Sequence, residues 1–344
     1  MMTFAPTVKQ TFLFIGIVLL LCFSILGAFW IGHYPISATE YYEVVRYGLG
    51  LDYDTSSVEN IQAIYTILYD IRLPRIIAAV LIGAGLSVSG AVFQGIFVNP
   101  LVSPGILGVL SGASFGAALG MLGAHAPHVV QLWAFGFGFI AVFVALGIAK
   151  FYGKNNTILM LVLGGVISSS LFSALLSLVK YVADPYNTLP SIVYWLMGSL
   201  ALVNSEGVKM AAPVMLASML ILIAFSKHIN VLSLGEEDAK ALGVSVEKIR
   251  FILIILATLL SAISVMLAGI IGWVGLVVPH IARFLVGANH MVLLPFCALL
   301  GAVFLLVVDS LSRGIFSVEV PLGILTALVG IPVFIIVLQH TARR

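Results

Sequence analysis

The chain has 344 residues, of which 61% are hydrophobic and only 9% charged, against roughly 25% charged in a soluble domain, so this is an integral membrane protein. Sixteen Lys and Arg against fourteen Asp and Glu leave a formal charge of +2, too small for a nucleic-acid footprint. Cys22 and Cys297 lie in apolar runs and form neither a CxxC motif nor a disulfide framework.

A helix needs about 20 apolar residues to cross the hydrocarbon core. The first candidate, 11–31, follows Lys9 as a signal sequence would, but it is too long for a signal h-region and lacks a small-residue cleavage site. It reads as a retained span. A polar loop, 33–73, follows and carries Glu40, Glu43, Asp52, Asp54, Glu59 and Asp70. The next uncharged stretch, 76–149, is broken at Asn99-Pro100, Ser103-Pro104 and Gly123 to Pro127. It gives spans near 74–97, 103–122 and 128–149. Further spans fall near 156–180, 206–226, 249–268, 275–286, 291–311 and 321–340. Residues 185–205, with Pro185, Pro190 and the run YWLMGSL, predict a partial helix at the interface.

Ten spans place both termini on one side. That side would hold Lys9, Lys150, Lys154, Lys227, Lys240, Lys248, Arg250, Arg283, Arg343 and Arg344, against Arg46, Arg72, Arg75, Lys180, Lys209 and Arg313 opposite. Ten against six makes the termini cytoplasmic by the positive-inside rule. Gly83, Gly85, Ser87, Ser89 and Gly90, and then Gly112, Gly116 and Gly120, are spaced to let helix backbones approach closely. Gly90, Pro100 and Gly108 recur as Gly269, Pro279 and Gly287 at an offset of 179 residues, which suggests an inverted repeat.

An ion-coupled carrier keeps ionisable groups at midplane, yet no acidic or basic residue lies near the middle of any span. Asp309 and Arg313, four apart at the end of a span, suit a structural i,i+4 pair. His125 and His128 lie in a turn without a Cys or carboxylate nearby, which makes a poor metal site. No Ser-His-Asp grouping or HExxH is present, and Gly153-Lys154 lacks the remainder of a phosphate loop. Uphill transport would need a motor elsewhere.

Residues 227–250 hold eight of the thirty charged residues. Ser233 to Glu236 fits a capping box, Glu236, Glu237 and Asp238 suit a first helical turn, and Gly243 suits a helix stop. A second helix starts at Ser245. This is more order than a connector needs, although a solvated loop that caps two helices would carry the same residues.

The runs RLPRIIAAVLIGAGLSVSGAVFQGIFVNPLVSPGILG (72–108), YWLMGSL (194–200), LSLGEEDAKALGV (232–244), GWVGLVVPHIARFLVG (272–287) and PLGILTALVGIPVFI (321–335) resemble the FecCD-type permeases. These are membrane subunits of type II ABC importers for iron chelates, haem and vitamin B12. The resemblance implies an all-α, polytopic chain of about ten transmembrane helices forming a single permease domain over 1–344. It works as a homodimer or beside a paralogous permease, in the bacterial or archaeal cytoplasmic (inner) membrane. Two ABC ATPases bind below, carrying ATP and Mg, so the chain has no cofactor and is not itself an enzyme. A periplasmic or lipid-anchored binding protein docks above. Carried over by motif, Leu232, Ser233, Leu234, Gly235, Glu236, Glu237, Ala239, Leu242 and Gly243 would couple to the ATPase. Arg72, Arg75 and Arg313 would dock the binding protein, and Asn99, Leu101, Asn156 and Thr157 would form the cytoplasmic gate. Iron–siderophore is the first cargo expected, with haem, cobalamin and molybdate as alternatives. An ion-coupled secondary transporter and an intramembrane enzyme are the rival classes.

Overall fold

The computed structural model describes residues 7–51, 60–153, 157–315 and 318–342. Fifteen α-helices are found there: α1 Val8–Trp30, α2 Ala38–Gly48, α3 Ile61–Thr66, α4 Leu73–Ile96, α5 Val109–Leu122, α6 Pro127–Tyr152, α7 Thr157–Val182, α8 Thr188–Leu196, α9 Ser205–Ala224, α10 Ser226–Leu232, α11 Glu236–Ala241, α12 Val246–Ala268, α13 Val274–Val286, α14 His290–Gly314 and α15 Leu322–Ala342. Seven helical stretches are long and apolar enough to cross a bilayer; with the shorter apolar helices α5 and α13, and α15, they account for the ten expected spans.

The connection expected over 33–73 is more ordered than a loop. Ser37 caps α2 by accepting from Glu40 N, and the Glu40 carboxylate returns a bond to Ser37 N at 2.6 Å. Residues Ile67–Arg72 form a π-helical turn that joins α3 to α4 without a break. Pro74 explains the wide turn. Its ring has no N–H and crowds the carbonyl four residues back, so adding a residue to the turn relieves the clash. Asp52, Asp54 and Glu59 lie outside the described residues.

The helix α4 is the centre of the molecule and is buried along nearly its whole length. Its small residues are there because neighbouring backbones touch it. A methyl group on Gly83 would sit 2.2 Å from the Gly301 carbonyl oxygen of α14, and one on Gly90 would sit 1.8 Å from Gly275 O of α13. Ser89 Oγ bonds Ala257 O of α12 at 2.8 Å. Gly112 and Gly116 of α5 lie in the same way against Phe137 O and Trp133 O of α6. By contrast α1 buries only Ile17 and Ala28 and leaves its remaining apolar surface outward.

Two expectations change at the short helices. Span 103–122 does not run straight through: Pro104–Leu107 forms a 3-10 turn, Gly108 takes φ +89°, and α5 follows with 14 residues. Pro104 packs against Gly275, and Ile106 O lies against Gly165, so this irregular backbone is sheltered by protein. The 179-residue offset also fails as a residue-level repeat. Gly90 is inside α4 whereas Gly269 ends α12, and Pro100 is in a turn whereas Pro279 is inside α13. What does recur is the order of elements: α4 to α7 run long, short, long, long, and α12 to α15 begin with the same long, short, long series.

Candidate coupling surface, gate turn and arginine cluster

At the end of the bundle where α4, α9 and α13 finish, α10, α11 and the start of α12 form a helix–turn–helix–turn–helix. Gly235, at φ +114°, separates α10 from α11, and Gly243, at φ +78°, separates α11 from α12. The Gly243 turn is a Schellman closure: Val244 N donates to Ala239 O and Gly243 N to Lys240 O. Only glycine tolerates these conformations cheaply. The expected capping box is absent. Ser233 is the last residue held by α10, and its Oγ donates to Ile229 O at 2.8 Å instead of turning to α11.

Glu236 is used otherwise. Its carboxylate accepts from Lys240 Nζ at 2.8 Å and from Arg250 Nη2 at 3.0 Å, which pins α11 to α12. The bond from Lys240, then the bond and charge of Arg250, hold its pKa below the ordinary carboxylate value despite some burial. Leu232 and Ala239 face inward, while Leu234 and Leu242 are 61% and 62% exposed at the two ends of the charged helix. A short, rigidly closed helix thus presents two aliphatic side chains beside Glu237 and Asp238.

The turn expected to form a gate lies at the same end. After α4, Val98 takes φ +49°, a left-handed conformation that a β-branched residue rarely adopts. Asn99 Oδ1 accepts from Leu101 N at 2.9 Å, and Leu101 is 59% exposed. Thr157 opens α7 and lines a cavity of about 660 Å³ together with Glu236, Lys240 and Arg250. It therefore sits beside α11, whereas Asn99 lines a separate cavity with Gln94 and Arg283. Asn156 lies outside the described residues.

The opposite end holds the arginines. Arg72, Arg75 and Arg313 are all buried. Arg75 donates through Nε to Asp309 Oδ1 at 2.9 Å and through Nη1 to Glu319 Oε1 at 2.8 Å. Arg313 pairs with Asp309 Oδ2 at 3.1 Å, as its i,i+4 spacing predicts, and reaches Ile31 O at 2.9 Å. Arg72 donates to Phe29 O and to Tyr41 Oη, the latter at 2.9 Å. Within this chain all three arginines already have partners. Arg75 and Arg313 use carboxylates of the same chain, Arg72 uses carbonyl and phenol oxygens, and together they clamp α1, α4, α14 and the segment before α15.

A model of the FecCD transport family matches residues 17–340. The chain belongs to that family. It is 42% identical over 330 residues to the molybdate import system permease protein MolB of Haemophilus influenzae, covering 95% of each chain. It is 41% identical over 275 residues to the cobalamin import system permease protein BtuC of Halobacterium salinarum, covering 80% of this chain and 73% of that one. Among solved structures, an inward-facing metal-chelate type ABC transporter matches with a TM-score of 0.83 at 40% identity, over 95% of this chain and 98% of the other. The permease thus has the type II ABC importer permease fold, all-α and multi-pass.

Several polar residues of this permease escape a reading by motif: Gln94, Asn230, Asn289, His290 and Glu319. Each interrupts or borders an apolar run, which is the available signal, but their partners are remote in sequence.

Proposed function

We propose that this chain is the permease subunit of an ATP-driven importer of the metal-chelate, cobalamin and molybdate class, placed in the cytoplasmic membrane with both termini inside. In this reading α11 and its flanking turns seat in the ATPase subunits, which bring ATP and Mg. A binding protein docks at the α2 end, and a second copy or a paralogue completes the pathway. The observation that carries it is the α10–α11 segment: two exposed leucines flanking a charged, closed helix, in a chain with no phosphate loop of its own. ATP-driven closure of the motor would displace α11, rock the two permease halves and open the pathway alternately to either side. Asn99 and Leu101, with Asn156 and Thr157 near the start of α7, would form the inner constriction. A docking role for Arg72, Arg75 and Arg313 would require the binding protein to compete with partners they already hold.

Iron–siderophore remains the cargo that the family resemblance puts first. A molybdate-type oxyanion is the second reading, supported by the 42% identical molybdate permease that spans 95% of both chains. Uncharged walls suit either cargo, since conduction requires that no site hold it tightly. The coupling reading is tested by Glu236→Lys with Glu237→Lys in the reconstituted transporter. Loss of ATPase co-purification and at least a tenfold loss of uptake are expected. Unchanged assembly, stimulated hydrolysis and uptake would refute it. Uptake of molybdate, a ferric siderophore and cobalamin, compared in the same proteoliposomes, separates the cargoes.

A further inference from the structure

Around the end of α4, three elements that are far apart in sequence meet through named polar contacts. From α10, which leads directly into α11, Asn230 Nδ2 donates to Asn289 Oδ1 at 2.7 Å, and Asn230 Oδ1 accepts from the His290 backbone N–H at 2.8 Å. The same oxygen lies 2.8 Å from His290 Nδ1, within hydrogen-bond reach of the ring. Asn289 caps α14 by accepting from Met291 N at 3.1 Å. Asn230 is therefore bound to the corner between α13 and α14.

From that corner, α13 reaches the gate turn. Arg283, in its last turn, donates through Nη2 to Gln94 Oε1 at 3.0 Å. The Gln94 amide in turn donates to Val102 O in the gate segment and to Leu276 O in α13, each at 3.4 Å. The Gln94 carbonyl also accepts from Asn99 N at 3.1 Å. One glutamine thus touches both ends of the 99–102 segment and α13. Steric contact runs parallel to these bonds: a methyl on Gly95 would lie 2.5 Å from Ile229 Cγ2 and 2.9 Å from His290 Nε2, so α10 and the start of α14 press on α4 just before its turn. The joint is not filled. A cavity of about 380 Å³ lies among Gln94, Asn99, Asn230, Arg283 and His290, giving these groups room to rearrange.

We propose that this joint transmits displacement of the coupling helix to the gate turn, with Asn230 as the positioning residue on the motor side and the Arg283–Gln94 pair as the positioning residues on the gate side. This rests on the coupling role assigned to α11. Intermediacy in space alone does not establish transmission. Here the links are direct hydrogen bonds, the short covalent corner from Arg283 to Asn289, and the Ile229 and His290 side chains packed on Gly95 with no room for a methyl group, and α10 is tied to α11 because only Ser233, Leu234 and Gly235 separate them.

The test is the ratio of cargo moved to ATP hydrolysed, measured on the whole transporter in proteoliposomes loaded with molybdate, ferric citrate or cobalamin. Asn230→Ala and Gln94→Ala should keep ATP hydrolysis within about twofold of wild type while cargo per ATP falls at least fivefold. Gln94→Glu keeps the acceptor for Arg283 and the side-chain volume but loses the donor to Val102 O and Leu276 O. It should lower the ratio as well, and it guards against a result caused by a loosened fold. A ratio unchanged in all three variants would overturn the proposal, as would hydrolysis and transport falling together by the same factor. Failure of the wild-type transporter to move any of the three cargoes at the expense of ATP would instead overturn the importer reading, and this proposal with it.

Discussion

Asp309→Asn is the substitution with the largest consequence that the structure allows to be worked out. Asp309 is fully buried and serves two guanidiniums, Arg75 at 2.9 Å and Arg313 at 3.1 Å. An amide of the same size cannot neutralise either of them. Arg313 would be left with carbonyl oxygens, and Arg75 with Glu319 alone. Removing one partner of a buried ion pair costs about 3–5 kcal/mol, because the remaining charge cannot return to water. At a few °C per kcal/mol for a chain of this size, that corresponds to a fall in Tm on the order of 10 °C. Glu319→Gln is the internal control. Its carboxylate makes one bond to Arg75 and its side chain is 26% exposed, so the loss should be about 1 kcal/mol or less. The assay follows unfolding of the solubilised permease through reaction of the buried Cys297 thiol with a fluorogenic maleimide, in a Cys22→Ser background, since Cys22 is exposed. If Asp309→Asn lowers Tm no more than Glu319→Gln, the clamp described for the arginine cluster is wrong.

Leu234→Ser with Leu242→Ser removes exposed apolar surface only, so affinity for the ATPase should fall at least tenfold in a pull-down titration while permease Tm stays within about 2 °C. Glu236, with its folded pKa depressed below the usual 4.5, stabilises α11 above that value and ceases to do so as pH falls through the folded pKa. Hydrogen exchange over 232–244, corrected for its intrinsic pH dependence, should therefore lose protection below about pH 4.5, and Glu236→Gln should abolish that pH step. Val98→Gly relieves a left-handed β-branched residue, a strain on the order of 1–3 kcal/mol, less the entropy that glycine loses on folding. It should raise Tm slightly while altering the rate of uptake.

The hydrophobic pattern carried most of the fold, because lipid demands about 20 apolar residues per crossing and the chain's charges fall between such runs. The span expected from 74 matches α4 from Leu73, but the helical lead-in before it was not legible, since the π turn at Ile67–Arg72 leaves no periodic trace and Pro74 looks like a boundary. Ser233 illustrates how local signals mislead: its spacing to Glu236 fits a capping box, but the hydroxyl finds a nearer acceptor in its own preceding turn. Asp309 and Arg313 were readable as a pair from their spacing. Their sharing of Arg75 and Glu319 was not, because those contacts join residues more than 230 positions apart or lie across an irregular segment. The joint at Gln94 was hidden for the same reason.

Where the permease can move follows from where it cannot. At Gly83–Gly301 and Gly90–Gly275 the backbones of α4, α14 and α13 touch with no side chain between them, and Ser89 bonds Ala257 O on α12. Sliding these helices past one another would drive carbonyl oxygens into Cα atoms, since close-packed interiors switch between arrangements and do not deform continuously. The α4–α12–α13–α14 block therefore behaves as one body. Glycine turns with open space around them lie at its edge. Gly235, Gly243 and Gly287 all take positive φ, and a methyl group built on any of them would meet nothing within 4 Å. Gly235 and Gly243 bracket α11, whose closed turns and Glu236–Arg250 bond tie it to α10 and α12, and Gly287 forms the corner between α13 and α14. Under the proposed coupling role, a motor pulling on α11 would carry α10 with it and act on the block through the contacts of Asn230. Under the same proposal, the 99–102 turn, anchored to the end of that block by Gln94, is where a small rotation would first change the width of the pathway.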